Sequence, residues 1–174
     1  MQIRKFPRDR RALLALFALA DDSFAQISRY LPLGEVLVAR DQREVIGHVQ
    51  IVETEEPRVL EIKSLAVIEQ RQRKGIGSRL VEAAVSRCLQ RGACRLIVAT
   101  AAADIGNLRF YQRRGFRMCR IVQDVFVAAN GYAEGATIDG IGLRDQVLLE
   151  LDLPCVHALQ GEAPARRAIA SVEP

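Results

Sequence analysis

The sequence predicts one α/β (α+β) domain with a mixed central sheet of about seven strands and four helices. Three observations carry this prediction. Apolar, β-branched runs of strand length alternate with longer segments whose apolar residues recur at helical spacing. Short polar turns join the early strands, as antiparallel neighbours require, whereas a helix separates the strand ending at Val67 from the next, so that pair can lie parallel. A chain of 174 residues is also long enough to bury a substantial core.

The first half of the chain is predicted to form a strand, two helices and a meander of three strands. The first strand covers residues 2–6 and ends at Pro7. Asp9 can cap the first helix and Ser23 the second, because both side chains can accept a hydrogen bond from a free N–H group of a first helical turn. The strands of the meander are predicted at residues 35–40, 45–52 and 59–67.

The second half is predicted to alternate helices with strands and to end in a tail. One helix opens at Gly75 and stops at Gly92, and Asp104 can cap the helix after the next strand. The remaining strands are predicted at residues 95–100, 116–126 and 145–151, with a bulge in the second of them and a long loop at residues 128–142. Residues 1–153 form a single domain in this prediction, and residues 154–174 form a tail that is ordered only if it docks on something.

Composition and charge argue against several classes of protein. The net charge is +4, from 25 basic and 21 acidic residues that are scattered along the chain, so an anionic cofactor is favoured and nucleic acid is not expected as a partner. Four cysteines without a CxxC pair, and only two histidines, argue against a metal site. The apolar run at residues 12–20 is too short to span a bilayer, and acidic residues follow it where a signal peptide has small ones. We therefore expect a cytoplasmic protein without a membrane partner.

A basic turn at residues 65–78 is the clearest candidate binding element. In it an apolar strand end leads through a polar turn into a helix that opens at Gly75 and Gly77. Two glycines allow a ligand to approach the backbone, and the free N–H groups of the first helical turn form an anion site that suits phosphate. The spacing matches neither the GxxxxGK[ST] loop nor the GxGxxG dinucleotide motif. Taken alone, such a pattern more often marks a basic turn before a surface helix.

Two motifs in sequence order, however, carry a family resemblance. QRKGIG at residues 72–77 matches a Q/R-x-x-G-x-G/A signature, and NLRFYQRRGF at residues 107–116 is similar to an fYxxxGF signature at the correct downstream distance. With the order of elements, these motifs resemble the GNAT superfamily of acetyl-CoA-dependent N-acetyltransferases over residues 3–151. The chain also looks like uncharacterised bacterial small-molecule members of that superfamily, a likeness that names no substrate.

The resemblance implies an acetyl-CoA site in a splayed sheet, with no metal. The glycine turn would hold the pyrophosphate, and the strand ending at Val67 would separate from the strand at residues 95–100, so that its free backbone groups pair with pantetheine. The Val67 N–H would then lie near the thioester carbonyl. Asp104 stands where the family often has an Asn that contacts CoA, and Asn107 would take over that contact. The predicted cofactor-binding residues are Leu65, Ala66, Val67, Gln72, Arg73, Lys74, Gly75, Ile76, Gly77, Ser78, Asn107 and Tyr111.

The resemblance also implies two catalytic residues, each with a plainer alternative. Tyr111 stands where the family acid protonates the departing thiolate, and a phenol with an ordinary pKa of about 10 suits an acid at neutral pH. Otherwise Tyr111 simply packs beside Phe110. Glu61 lies six residues before Val67, the spacing of the base in the histone-acetylating branch, and would deprotonate the ammonium directly or through water. Otherwise Glu61 is an ion-pair partner on the strand.

The acceptor side is predicted to be acidic. The acidic residues lie at the start of the second helix, in the turn at residues 53–56 and in the loop at 128–142, and the substrate-binding candidates are Asp21, Asp22 and Glu134. Such a wall suits a small cationic amine, polyamine-like or aminoglycoside-like, that attacks acetyl-CoA directly in a ternary complex. The same charges also fit solvated loops.

Two other functions remain open on the sequence. A protein Lys or N-terminal acetyltransferase would need an open groove for an extended peptide, and a non-catalytic acyl-CoA-binding module would need the cofactor half alone. The sequence also does not decide between a monomer and a homodimer formed through the last strands and the tail.

Overall fold

The computed structural model describes residues 1–154, and the predicted tail lies outside these residues except for Pro154. The sheet contains β1 (Gln2–Lys5), β2 (Glu35–Asp41), β3 (Glu44–Glu53), β4 (Val59–Val67), β5 (Arg95–Ala101), β6 (Arg117–Val122) and β9 (Gln146–Asp152). A separate hairpin contains β7 (Thr137–Ile138) and β8 (Ile141–Gly142). The helices are α1 (Leu14–Phe17), α2 (Phe24–Tyr30), α3 (Ile76–Gln90) and α4 (Ile105–Gln112).

The seven strands form one mixed sheet in the order β1–β2–β3–β4–β5–β9–β6. Strands β1 to β4 are antiparallel neighbours, β4 and β5 are parallel, and β9 lies antiparallel between β5 and β6. The predicted mixed sheet of seven strands with four helices is therefore confirmed. The parallel pair follows from the crossover through α3, because a connection of that length can return to the same end of the sheet.

Helices cover the sheet on two sides. The apolar stripe of α3, with Leu80 and Ala84 at its centre, is buried in the larger core cluster together with side chains of β2 to β5. Phe17 of α1 and Ile27 of α2 pack with Val36 of β2 in a second cluster. The apolar stripe of α3 follows from apolar residues spaced three and four positions apart in the sequence. None of the helices within residues 1–154 has the length and apolar character needed to cross a membrane.

The splay predicted between β4 and β5 is present. Their parallel ladder joins only residues 59–62 to residues 95–98. Beyond it β4 continues to Val67 and stays paired with β3, while β5 continues to Ala101 and stays paired with β9. Strands β4 and β5 thus stay hydrogen-bonded to β3 and β9 but no longer to each other, and this opens a gap inside the sheet.

Three predicted elements differ in detail. The first helix begins as a 3-10 turn at Arg10–Leu13 before the short α1. The strand predicted at residues 116–126 ends at Val122, because Asp124 has a positive φ of 56° that turns the chain away from the sheet. The long loop predicted at residues 128–142 contains the β7–β8 hairpin. The predicted bulge in β6 is confirmed between Met118 and Arg120.

Replacement of Leu80 by Ala tests the packing of α3. Leu80 is fully buried, so its loss removes apolar contacts and leaves a cavity, and we expect the free energy of unfolding to fall by roughly 2–5 kcal/mol in a urea titration. Leu89→Ala on the same helix is the control, because Leu89 is 39% exposed and its loss should cost much less. Equal losses for the two variants would contradict this account of the core.

Candidate active site

A cleft of about 1130 Å³ occupies the gap between β4 and β5. Its walls come from the separated strand ends, the start of α3, one side of α4, the turn before α2 and the segment between β6 and β9. Most of the predicted site residues line it: Asp21, Asp22, Glu61, Leu65, Ala66, Val67, Gln72, Arg73, Gly75, Ile76, Gly77, Ser78, Asn107 and Tyr111. Of the predicted set, Lys74 and Glu134 do not line the cleft, and their roles stay predictions.

The start of α3 has the backbone geometry of an anion site. Gly75 is the N-cap residue and has φ 77°, a left-handed conformation that glycine adopts without a Cβ clash. A Cβ at Gly77 would lie 3.3 Å from the Phe110 ring, so glycine also permits the close packing of α3 on α4. The Gln72 side chain donates to the Val67 carbonyl at 3.0 Å and ties the turn to the end of β4. Lys74 instead donates from Nζ to the Gln70 carbonyl at 3.1 Å.

Arg114 joins this anion site, although the sequence analysis did not single it out. Its guanidinium lies 3.5 Å above the centre of the Phe110 ring and donates both to the Phe110 carbonyl and to the Ser78 hydroxyl of the first turn of α3. Its Nε is buried and has no hydrogen-bond partner within residues 1–154. A stacked arginine with spare donors beside free helical N–H groups is well suited to a phosphate group. Arg114 lies beyond the end of α4, so no helical pattern in the sequence indicates its contacts with Phe110 and Ser78.

Tyr111 both packs in the core and faces the cleft. The side chain is 6% exposed, and its ring makes edge contacts with Phe110 and Phe116 at centroid distances of 5.0 and 5.6 Å. Burial raises the pKa of the Tyr111 phenol, and the carboxylate of Asp104 adds to that effect. Tyr111 is therefore protonated at neutral pH, as a proton donor must be. Asn107 donates to the Asp104 carboxylate at 2.7 Å, at the start of the same helix.

Glu61 reaches the acceptor side of the sheet through an irregularity in β4. The register of the β3–β4 pair shifts between Gln50 and Ile51. Ser64 is therefore paired with Gln50, and Glu61 is paired with Val52. Because paired residues lie on the same face of a sheet, Ser64 and Glu61 point to the same side. Three residues apart in a regular strand, they would point to opposite sides. The ion pair that was the alternative for Glu61 is present, because Lys63 Nζ lies 3.1 Å from Glu61 Oε1.

A carboxylate held by hydroxyl groups marks the opposite end of the cleft. Asp21 accepts from the Ser23 N–H at 2.9 Å and from the Tyr30 hydroxyl at 3.4 Å, and the Tyr132 hydroxyl also bonds to it. Burial raises the pKa of Asp21. Burial, with the Asp21 carboxylate beside it, raises the pKa of Tyr132 to about 12. Asp22 lines the same end but is exposed.

The segment between β6 and β9 covers this end. Gln26 of α2 donates to the Asn130 carbonyl at 3.0 Å, and a Cβ on Gly131 would lie 3.0 Å from the Ser23 hydroxyl, so segment and helix are in close contact. The segment contributes mainly apolar and aromatic side chains to the cleft: Val125, Phe126, Tyr132, Ile138 and Leu143. Among residues 1–154, no three or more His, Cys, Asp or Glu side chains are grouped so that they could hold a metal ion.

A mixed sheet opened at its parallel pair of strands, with a glycine-containing helix start on one side and an acidic end on the other, defines a class of acyl-transfer fold. The chain belongs to the acetyltransferase (GNAT) family, whose model matches residues 7–116. It is 36% identical over 141 residues to an uncharacterised N-acetyltransferase, YvbK, of Bacillus subtilis, an alignment that covers 81% of this chain and 89% of YvbK.

Two solved structures are similar in both fold and sequence. An acetyltransferase of Bacillus subtilis in complex with CoA has a TM-score of 0.80 and 34% identity, covering 88% of this chain and 99% of that one. A GNAT family acetyltransferase of Elizabethkingia anophelis with acetyl-CoA bound has a TM-score of 0.80 and 30% identity, and the match covers 87% of this chain and 97% of that one. The predicted family, fold class and enzyme class are confirmed, and the cofactors of these relatives agree with the predicted use of acetyl-CoA.

Replacement of Arg114 by Ala tests the anion site. If the guanidinium binds a phosphate of CoA, we expect calorimetry to show roughly tenfold weaker binding of acetyl-CoA and unchanged binding of S-acetyl-pantetheine, which lacks the nucleotide phosphates. Arg113→Ala is the matched control, because Arg113 is the exposed neighbour. An equal loss of affinity for both ligands would show that Arg114 acts only by packing.

Proposed function

We propose that this chain transfers the acetyl group of acetyl-CoA to the primary amine of a small cationic molecule, by direct attack in a ternary complex. The observation that carries the proposal is one continuous cleft whose two ends carry side chains of opposite charge. Arg73 and Arg114 line the end at the start of α3, and Asp21 and Asp22 line the end at the turn before α2. An anionic cofactor and a cationic acceptor can therefore enter the same space from different sides.

The cofactor half of the cleft supports the binding of acetyl-CoA. The free N–H groups at the start of α3 would hold the pyrophosphate, with Arg114 beside them. The unpaired edge of β4, from residue 63 to Val67, would bind pantetheine as an added strand, since extended backbone next to a free edge satisfies its donors and acceptors. The Val67 N–H would then donate to the thioester oxygen and stabilise the charge that develops there.

An ammonium acceptor loses two protons in this reaction, one before its nitrogen attacks and one after the attack, while the sulfur gains one proton. The second proton from the nitrogen therefore balances the proton that the sulfur receives, and the first is released to solvent. The amine nitrogen forms a bond to the acetyl carbon, and the carbon–sulfur bond then breaks. In our proposal Tyr111 gives its proton to the CoA thiolate, and Glu61 takes the proton of the ammonium through its second oxygen or a water, because Lys63 already occupies Oε1.

The shape of the acceptor end supports a small acceptor over a polypeptide. The segment between β6 and β9 is hydrogen-bonded to α2 and contributes side chains such as Phe126 to the cleft, so it covers part of this side. The alternatives of a protein acetyltransferase and of a non-catalytic acyl-CoA-binding module have no comparable observation in their favour.

The proposal is tested by incubating the protein with acetyl-CoA and a panel of primary amines and by measuring free thiol release together with the acetylated amine. We expect release that depends on the amine and that matches the acetylated product. Binding of acetyl-CoA without release for any amine would support the binding module instead.

Replacement of Tyr111 by Phe separates the two interpretations of this residue. The ring and its packing are kept, so we expect an unchanged affinity for acetyl-CoA and an unchanged urea midpoint, while kcat falls by roughly 10²–10⁴-fold through loss of the proton donor. Steady-state kinetics and calorimetry on the same preparation measure both. An unchanged kcat would remove Tyr111 from the reaction and leave it a packing residue.

A further inference from the structure

We propose that the acceptor is a monocationic amine on an apolar or aromatic body, and that Asp21 binds its ammonium group. This inference rests on the proposed function and narrows it, because a polyamine or an aminoglycoside carries several positive charges and little apolar surface. Four features of the acceptor end lead to it: the number of carboxylates, the way Asp21 is held, the polar side chains behind it, and the apolar side chains of the segment between β6 and β9.

Few of the predicted acidic residues reach the cleft. From the acidic segments assigned to the acceptor side, Asp21 and Asp22 line it, whereas Glu134 does not. Glu61 also lines it, but Lys63 is paired with it at 3.1 Å and supplies the opposite charge. Asp22 is exposed, where solvent screens its charge, so Asp21 is the half-buried carboxylate left for a ligand.

Asp21 is fixed in place before a ligand arrives. The Ser23 N–H binds one of its oxygens at 2.9 Å, and the Tyr30 hydroxyl donates to the other at 3.4 Å. The Tyr132 hydroxyl adds a further hydrogen bond from the covering segment. These donors hold the carboxylate in one position, and a fixed, half-buried anion suits a single ammonium group, since the charge attracts it without a cost for ordering the side chain.

A buried histidine supports this arrangement from behind. His48 is fully buried, its Nε2 lies 2.8 Å from the Ser64 hydroxyl, and its Nδ1 has no partner among the residues of the described range. A buried N–H without an acceptor is costly, so the proton belongs on Nε2, which donates to Ser64. The Ser64 hydroxyl can then donate to Tyr30, and Tyr30 donates to Asp21. Each donor in this series points toward Asp21 and so opposes the rise in the pKa of Asp21 that burial causes.

The segment whose Tyr132 bonds to Asp21 also supplies apolar side chains to the cleft. Phe126 and Tyr132 stand edge to face with ring centres 5.0 Å apart, and Ile138 and Leu143 of the same segment also line the cleft. Leu19 adds an apolar side chain from the turn before α2. A molecule with amines along its length would place charge against these side chains and lose hydration without a partner, whereas an alkyl or aryl group would be stabilised by leaving water.

A series of monoamines tests the inference while the charge is held constant. Ethylamine, butylamine and hexylamine carry one ammonium each, and we expect kcat/KM to rise roughly fourfold for each added CH₂. We expect phenethylamine to exceed spermidine and kanamycin by at least tenfold. Leu143→Ala should flatten the rise, and Ile141→Ala is its matched control, because Ile141 lies two residues earlier, in β8, but does not line the cleft.

Asp21→Asn tests the ammonium site itself. The amide keeps the shape of the carboxylate but not its charge, so we expect KM for phenethylamine to rise and kcat/KM to fall roughly tenfold or more, while KM for acetyl-CoA stays within about twofold. Glu44→Gln removes one charge from the exposed start of β3 and should change none of these constants. Equal KM values for the Asn variant and the unaltered protein would overturn the role of Asp21.

The outcomes separate this inference from the function on which it rests. Faster acetylation of spermidine or kanamycin than of phenethylamine, or a flat alkylamine series, would overturn the inference and leave the acetyltransferase proposal standing. Failure to acetylate any amine of the panel while acetyl-CoA binds would overturn the proposed function, and the inference with it.

Discussion

The separation of β4 from β5 is the constraint on which the rest of this structure depends. A central sheet normally pairs every backbone donor and acceptor of its inner strands, yet here the parallel ladder stops at Ile62 and Val98. The strand ends beyond it remain anchored on their outer sides, so the gap cannot close by a simple shift of either strand. The protein therefore keeps an open edge inside its own sheet, which an extended ligand can complete.

The same opening arranges the chemistry around it. The start of α3 lies at one end of the gap because the chain must leave β4 through the turn at residues 68–75. The register shift in β4 turns Glu61 and Ser64 to the side of α2, where Asp21 and Tyr30 lie. Arg73 and Arg114 thus lie where a phosphate would bind, and the Asp21 carboxylate with its hydroxyl partners lies where an amine would bind.

Local signals in the sequence were sufficient for most of the fold. The caps at Asp9, Ser23 and Asp104 each accept a backbone N–H as predicted, because capping depends only on residues two or three positions away. The glycine turn could be recognised for the same reason. Arg114 could not, since its importance comes from a contact with Ser78, which lies 36 residues earlier in the chain. The apolar lining from the segment between β6 and β9 was also missed, because a loop pattern does not reveal which side chains face a cleft and which, like Glu134, do not.

The short ladder between β4 and β5 also has a consequence for the resistance of the protein to proteolysis. Within the sheet, strands β1 to β4 are joined to β5, β9 and β6 through four residue pairs, so partial opening along this line should need less free energy than global unfolding. A ligand that spans the gap opposes that opening by mass action, in proportion to the logarithm of its concentration relative to its Kd. We therefore expect proteases to cut this chain more slowly when the cofactor is bound. Limited digestion with and without CoA measures this difference.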